Sequence, residues 1–598
     1  MINLENDVIG TVLESSISYI EIEIKDKNIF EKNKDFLQIG KYLKVQIGNS
    51  DCLVVIIYNI RLNQTIVAND IKLTFILQTQ PIGLIHGDKF ERGSLMLPVP
   101  TESVSLIDSD SLALLYSRSE SYAFKFGTLV QNKETSLYID GNKFFSKHIA
   151  IVGSTGAGKS CTVAKILQDV VGISNAKNSN IGNQNNAHIV IFDIHSEYKY
   201  AFDVAKEEDF TLNVLDVDSL ILPYWLMNSE ELESIFIESN EANSHNQVSQ
   251  FKKAVILNKE KHNPSLKDKI NYDTPVYFDI KEVFNYISNL NNLTTYSKEG
   301  KTYFATLEKQ EEFNINKLWD LIDFEESTGN SSHVKLGVKV SKSGGFNSEF
   351  DRFISRLETK LNDKRLKFLL ESKKNKENKY KTDDFEAILK QFIGYINKSN
   401  VTILDLSGIP FEVLSITISL VSRLLFDFSF HYSKIKHSED LLNDVPIMIV
   451  CEEAHNYVPR DNSSDYKSSR KSIERIAKEG RKYGISLMVV SQRPSEVSET
   501  IFAQCNNFIS LRLTNTNDQS YIRSLMPENS NAIADILPNL SAGQCLIVGE
   551  AVPLPSIVQL ELPNPMPKSE TINFHDNWID NWKEITFTEI VNRWKTNK

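Results

Sequence analysis

The densest chemistry in the sequence lies in eight consecutive residues, Gly153, Ser154, Thr155, Gly156, Ala157, Gly158, Lys159 and Ser160. A short apolar run, His148–Val152, precedes them, and a helical pattern, Cys161–Val170, follows. This is G-x-x-x-x-G-K-S in strand–loop–helix context, the setting in which a phosphate-binding loop is credible. Glycines let the backbone turn so that its N–H groups line a cradle for phosphate oxygens. The helix N-terminus adds partial positive charge. Lys159 is expected to reach the β- and γ-phosphates and Ser160 to offer its hydroxyl to Mg²⁺. Every residue of the loop, together with Cys161, is a candidate nucleotide contact, and ATP with Mg²⁺ is the expected ligand.

Other candidates sit where apolar runs end. Glu452 and Glu453 follow Ile447–Cys451. A strand tipped by two acids is where P-loop enzymes hold Mg²⁺ and polarise the attacking water. The first acid is ordinarily Asp. Glu452 is one methylene longer, so it is a candidate Mg²⁺ contact, and Glu453 is the better choice for the water-orienting base. Gln492 follows Leu487–Val490 and is placed to hydrogen-bond the γ-phosphate or the water. Asp193, His195 and Glu197 are expected on one strand face by period two. That spacing suits a metal, but Asp193 reads better as an extra acid at the nucleotide's edge and a candidate Mg²⁺ contact. Each has a plainer alternative as a strand cap or a polar strand end.

The elements that must position these groups follow from composition and pattern. The 598 residues, 41% hydrophobic and 24% charged, suit a globular protein of about three or four units. A net charge of −12 confines any nucleic-acid contact to a local basic surface. Five scattered cysteines form no C-x-x-C or Cys/His cluster, which argues against a disulfide framework or a zinc site and for a reducing, cytoplasmic setting. The N-terminal MINLENDVIG is unlike a signal peptide. Val413–Phe430, broken by Arg423 and Asp427, reads as a core helix, so no membrane is expected.

Residues 1–110 alternate in short Val/Ile-rich runs and predict a small β-barrel. Residues 111–227 predict the first part of an α/β core. Phe126–Ile139 there is a β-leaning stretch with a turn at Asp140-Gly141, and a polar, Asn-rich loop spans Ser174–Asn186. Residues 228–400 are polar and helical in pattern, an insertion between core strands. Residues 401–565 return to strands and helices, and 566–598 form a Trp-containing tail ending in a helical pattern. Strands alternating with helices point to a parallel sheet. A basic amphipathic helix over 466–481 buries Ile473, Ile476 and Ala477, and its Lys467, Arg470 and Lys471 are candidate DNA contacts.

Seven blocks, HIAIVGSTGAGKS, IFDIHSEY, LPYWLMNSEEL, CEEAH, IAKEGRKYGI, SQRP and GQCLIVGEAVPLP, together resemble the HerA branch of HerA/FtsK translocases over roughly 1–225 and 400–560. The resemblance implies an N-terminal barrel, a RecA-like P-loop NTPase core with a helical insertion, and a homo-hexamer that drives double-stranded DNA through a central channel. It also implies a partner effector: a nuclease, a Sir2-like NADase or another effector, in end resection or anti-phage defence. Carried over, it makes Lys159 and Ser160 nucleotide ligands, Glu453 catalytic, Gln492 a sensor and Arg481 an arginine finger acting on a neighbouring subunit. The long Asn-rich insertion departs from the family and leaves the partner open. Two other classes stand beside this one: an ATPase scaffold that regulates an effector without moving DNA, and the coupling ATPase of a conjugation or secretion machine. No further acidic or Cys/His site suggests that this chain itself cuts DNA.

Overall fold

The computed structural model describes residues 8–48, 51–67, 70–87, 89–93, 96–116, 123–130, 132–173, 185–204, 210–237, 244–306, 311–324, 340, 346, 348–372, 374, 378–461, 466–526, 534–568 and 572–596. Most of the Asn-rich loop, 174–184, lies outside the described residues.

The chain opens with β1 (Val8–Ser15), β2 (Ile20–Ile24), β3 (Tyr42–Ile47), β4 (Asp51–Val67), β5 (Asp70–His86), β6 (Lys89–Arg92) and β7 (Ser103–Leu106). They pair in the order β2-β1-β7-β3-β4-β5-β6, and β2 also pairs with β5. That extra pairing closes six strands into a barrel and removes their free edges. β4 shows why its apolar run, Leu53–Ile57, is continuous rather than alternating. Leu53, Val55 and Ile57 fill the barrel, while Val54 and Ile56, on the other face, join the core of the next unit. The Tyr116 hydroxyl donates to Tyr42 Oη across this junction at 2.8 Å.

The second sheet has eleven strands: β8 (Ala123–Leu129), β9 (Asn132–Asp140), β10 (His148–Val152), β11 (His188–Asp193), β12 (Leu212–Leu215) and, beyond the separate hairpin β13 (Thr295–Lys298) and β14 (Lys301–Phe304), also β15 (Val401–Asp405), β16 (Ile447–Cys451), β17 (Ile485–Ser491), β18 (Cys505–Ser510), β19 (Gln544–Gly549) and β20 (Ser556–Gln559). Its order is β12-β15-β11-β16-β17-β10-β18-β19-β20-β8-β9. The first seven strands in that order are parallel, as expected of a RecA-like core. The remaining four are antiparallel, an extension beyond the predicted parallel core. Part of it comes from β8 and β9, which form a hairpin and so must run in opposite directions. The predicted single stretch Phe126–Ile139 is this hairpin. Asp140 caps the short helix Gly141–Phe145 by accepting the Lys143 N–H, instead of making a turn with Gly141.

The polar segment after 228 is mostly helical, with Ser244–His262, Ile280–Asn292, Asp351–Leu361 and Phe385–Ile393, but it also carries the β13–β14 hairpin. Its hydrophobic residues merge with the core that also holds the helix Phe411–Ser438. That helix is long and apolar enough to cross a membrane, yet 78% of its apolar window is buried inside the fold.

An ion pair pins the start of the polar segment to this helix. The helix Ser229–Phe236 begins with a capping box in which Asn228 accepts the Glu231 N–H and Glu231 accepts the Asn228 N–H. The Glu231 carboxylate, on a residue only 1% exposed, also faces the Arg423 guanidinium at 3.0 Å and accepts from Ser419 Oγ at 3.0 Å. Removing one partner of such a pair strands the other. Arg423→Met should therefore destabilise the protein by about 3–5 kcal/mol. Adding Glu231→Gln, which keeps the capping geometry, should recover a large part of that loss in chemical denaturation. If the double variant is no more stable than Arg423→Met, the pair is not what holds this junction.

Candidate functional site

β10 is buried at every position and delivers the chain to the loop Gly153–Gly158. His148, at its start, is fully buried and spans two neighbours. Its Nδ1 accepts the Leu487 N–H at 3.0 Å, so Nε2 carries the proton donated to the Ala477 carbonyl at 2.9 Å. Burial lowers its pKa to about 4, which keeps it neutral. The loop is tied to both flanking strands. Gly153 N–H reaches the Ser491 carbonyl at 3.4 Å, Ser154 N–H reaches the Arg512 carbonyl at 2.8 Å, and Ser154 Oγ accepts the Thr514 N–H at 3.0 Å.

Two glycines have the left-handed backbone that side chains resist, Gly156 at φ +72° and Gly158 at φ +99°. Around Gly156 a Cβ would meet nothing within 4 Å, so the loop is open at this point. Gly158 leads straight into the helix Lys159–Val171, whose first N–H groups have no intrahelical partner and face the loop. Lys159 is 7% exposed, and Ser160 and Cys161 are half-buried in the first turn. The open cradle, the buried ammonium and the Ser160 hydroxyl fit a nucleoside triphosphate with Mg²⁺.

β16 brings two carboxylates to this loop. Glu452 is 3% exposed, and its Oε2 accepts the Tyr198 hydroxyl at 2.6 Å. Burial raises its pKa, the Tyr198 hydrogen bond lowers it, the Glu453 charge raises it and the Lys159 ammonium lowers it. Glu453 is 7% exposed, and its backbone has φ +46°, strained for a residue with a side chain. Its Oε2 is buried without a hydrogen bond. His455 Nδ1 lies 3.3 Å from that oxygen, within ion-pair range but outside hydrogen-bond geometry, and 3.2 Å from Ser491 Oγ. Burial lowers the His455 pKa, while the Glu453 charge opposes that.

β17 ends beside both, and Gln492 Oε1 accepts the Thr155 hydroxyl at 2.6 Å. The end of this strand is thereby joined directly to the phosphate loop. Asp193 also arrives at this edge, but its environment differs from the expectation. β11 ends at Asp193, so His195 and Glu197 are on a loop and do not share a strand face with it. The Asp193 carboxylate, fully buried, accepts the N–H groups of His195, Glu197 and Tyr198. Burial raises its pKa and the Tyr198 and Glu197 N–H groups lower it. No His/Cys/Asp/Glu cluster able to hold a metal occurs among the described residues. Tyr198 is the residue that spacing could not find, because its partner lies 254 positions away.

The basic helix spans Lys467–Glu479 and buries Ser469, Ile473, Ile476 and Ala477. Most of its cations face acids of the same chain. Arg470 pairs with Glu474 at 2.7 Å, Lys471 with Glu230, Arg475 with Asp427 at 3.8 Å and Lys478 with Glu474 at 3.7 Å, while Lys467 is exposed. A phosphate at Arg470 or Lys471 would compete with those carboxylates. The helix ends at Glu479 and a tight turn, Gly480–Tyr483, follows; the left-handed residue there is Gly484, at φ +76°, not Gly480. Arg481 is exposed on this turn and donates to Asn506 Oδ1 at 3.3 Å. The seven residues of β17 lie between it and Gln492, so Arg481 stands roughly 20 Å from its own phosphate loop.

A family model described as the central domain of helicase HerA matches residues 124–425. The DNA double-strand break repair helicase HerA of Saccharolobus solfataricus is 24% identical over 485 residues, covering 81% of this chain and 76% of that protein. The protein of the same name from Sulfolobus acidocaldarius is 26% identical over 501 residues, covering 83% and 79%. Among solved structures, the plasmid coupling protein TrwB in complex with ADPNP is similar at 11% identity with a TM-score of 0.42, covering 78% of this chain and 94% of that one.

Proposed function

The chain belongs to the family of the HerA helicase central domain, and on that premise we propose that it is an ATP-driven, hexameric motor on double-stranded DNA, acting in the cytoplasm with a separate effector protein. It is a helicase-type P-loop ATPase. The observation that carries the hydrolysis part of this reading is Glu453: a strained, buried carboxylate oxygen without a hydrogen bond, next to Glu452, whose carboxylate feels the Lys159 charge of the phosphate loop. The relatives' activity on DNA, named in their descriptions, supports the substrate. The effector rests on the resemblance carried by the seven motif blocks.

In this reading the loop N–H groups and the Lys159 ammonium bind the triphosphate. Ser160 and Glu452 would hold Mg²⁺, which when bound supplies positive charge to the transferring phosphoryl group. Glu453 orients a water and accepts its proton as the water oxygen bonds to the γ-phosphorus. The bond from that phosphorus to the ADP oxygen breaks, and ADP and phosphate leave. Through the Thr155 hydroxyl, a movement of the loop is transmitted to Gln492 and β17. Arg481, too far from its own loop, serves the nucleotide of a neighbouring subunit. One observation favours the scaffold alternative: Arg470 and Lys471 already have carboxylate partners, which weakens the basic helix as a DNA surface.

Hydrolysis measured with and without double-stranded DNA separates the two. The motor reading expects DNA to stimulate turnover, less so at high salt. Lys159→Ala should abolish turnover, and Glu453→Gln should bind ATP but turn over about 10²–10⁴-fold more slowly. Turnover indifferent to DNA at every salt concentration would favour the scaffold, and a wild-type rate in Glu453→Gln would remove Glu453 as the base.

Arg481 is tested by mixing subunits. Arg481→Ala rings should assemble and bind ATP yet hydrolyse it poorly, because a finger supplied in trans is worth about 10³–10⁵-fold in other NTPases. Mixed with Glu453→Gln subunits they should regain activity at interfaces that pair an intact Glu453 with an intact Arg481. Mixed rings as inactive as both parents would exclude action in trans, and Lys482→Ala controls for the neighbouring charge.

A further inference from the structure

The loop after β11 has an architecture that binding phosphate does not explain. Asp193 accepts three N–H groups, from His195 at 3.3 Å, Glu197 at 3.1 Å and Tyr198 at 2.9 Å. Ser196 takes a left-handed backbone, φ +58°, and its hydroxyl donates to Asp405 Oδ2 at 2.8 Å. These contacts curl the loop back so that the Tyr198 phenol, completely buried, meets Glu452 Oε2. The two residues sit just past the ends of β11 and β16, which are adjacent and parallel. Among the described residues no hydrogen bond reaches Glu452 Oε1.

A glutamate here has one more rotatable bond than the usual aspartate. Its carboxylate needs an external hold to present one oxygen in a fixed direction. A phenol on a packed ring supplies a single, rigidly placed donor.

We propose, building on the ATPase reading above, that Tyr198 is a positioning residue for Mg²⁺: it fixes Oε2 of Glu452 so that Oε1 faces the metal. Asp193 serves this arrangement by shaping the loop and is not itself a metal ligand. A hydrogen-bond partner behind a metal ligand typically changes metal affinity 10–100-fold.

The test uses the full chain and Tyr198→Phe, with Mg²⁺ titrated against binding of a fluorescent ATP analogue and against hydrolysis. The expected result is a Mg²⁺ midpoint raised about tenfold or more in both titrations. Metal-free nucleotide binding and melting temperature should stay near wild type, and the rate at saturating Mg²⁺ should change much less than the midpoint. Tyr457→Phe is the comparator. Its hydroxyl, equally buried, donates to the Glu452 main-chain carbonyl at 3.0 Å and not to the carboxylate. A general loss of packing would appear in both variants, whereas the Mg²⁺ shift belongs to Tyr198→Phe. An unshifted midpoint, or an equal shift in Tyr457→Phe, overturns the assignment. A wild-type chain that neither binds nor hydrolyses ATP overturns the ATPase reading along with it, and that result precedes any comparison of variants.

Discussion

A buried carboxylate oxygen with no hydrogen bond costs on the order of 1–3 kcal/mol, more when ionised. A left-handed backbone at a residue bearing a side chain adds about 1–3 kcal/mol. Glu453 carries both at the end of β16. Such a residue persists only where its surroundings leave it no alternative, and the neighbouring contacts do that. β16 is buried along its whole length between β11 and β17. Tyr457 holds the main-chain carbonyl of the preceding residue, and His455 lies between Glu453 and Ser491. The site is maintained against a local preference for another geometry, as the proposed role of Glu453 as the base requires.

Sheet topology explains why these groups meet. In a parallel sheet, every strand ends at the same edge, so the loops after β10, β11, β16 and β17 converge there. They bring the phosphate loop, the Asp193 turn, the two glutamates and Gln492 into one place although they span some 340 positions of chain. The opposite edge collects what comes before the strands: His148, and Arg481 with Asn506. One chain thus places its candidate nucleotide site on one edge of its sheet and the exposed Arg481, held by Asn506, on the other. That polarity suits a ring, in which the second edge of one subunit can face the first edge of the next.

How much of this was legible in the sequence depended on how local the cause was. The phosphate loop is specified by glycines and a lysine within eight residues, and the alternation Ile20-Glu21-Ile22-Glu23-Ile24 places β2 in the barrel wall because side chains alternate. The turn that follows Asp193 is not legible, because period two holds only within a strand and β11 ends at Asp193. The hydrogen bond from Tyr198 to Glu452 joins positions far apart in sequence, and no spacing rule reaches that far. The basic helix displays its cations in sequence but not the carboxylates, Glu230 and Asp427, that come to it from other elements. The β8–β9 hairpin is hidden for a similar reason: its two strands fall inside a stretch that reads only as β-leaning.

The central claim, that the free oxygen of Glu453 is reserved for the attacking water, is tested most directly by an experimental structure of the protein with Mg²⁺ and a non-hydrolysable ATP analogue. The account predicts an ordered water within hydrogen-bond distance of Glu453 Oε2 and in line with the γ-phosphate, with the Glu453 backbone still left-handed. A Glu453 carboxylate turned away and hydrogen-bonded to a protein group, with the water held by another residue, would contradict it.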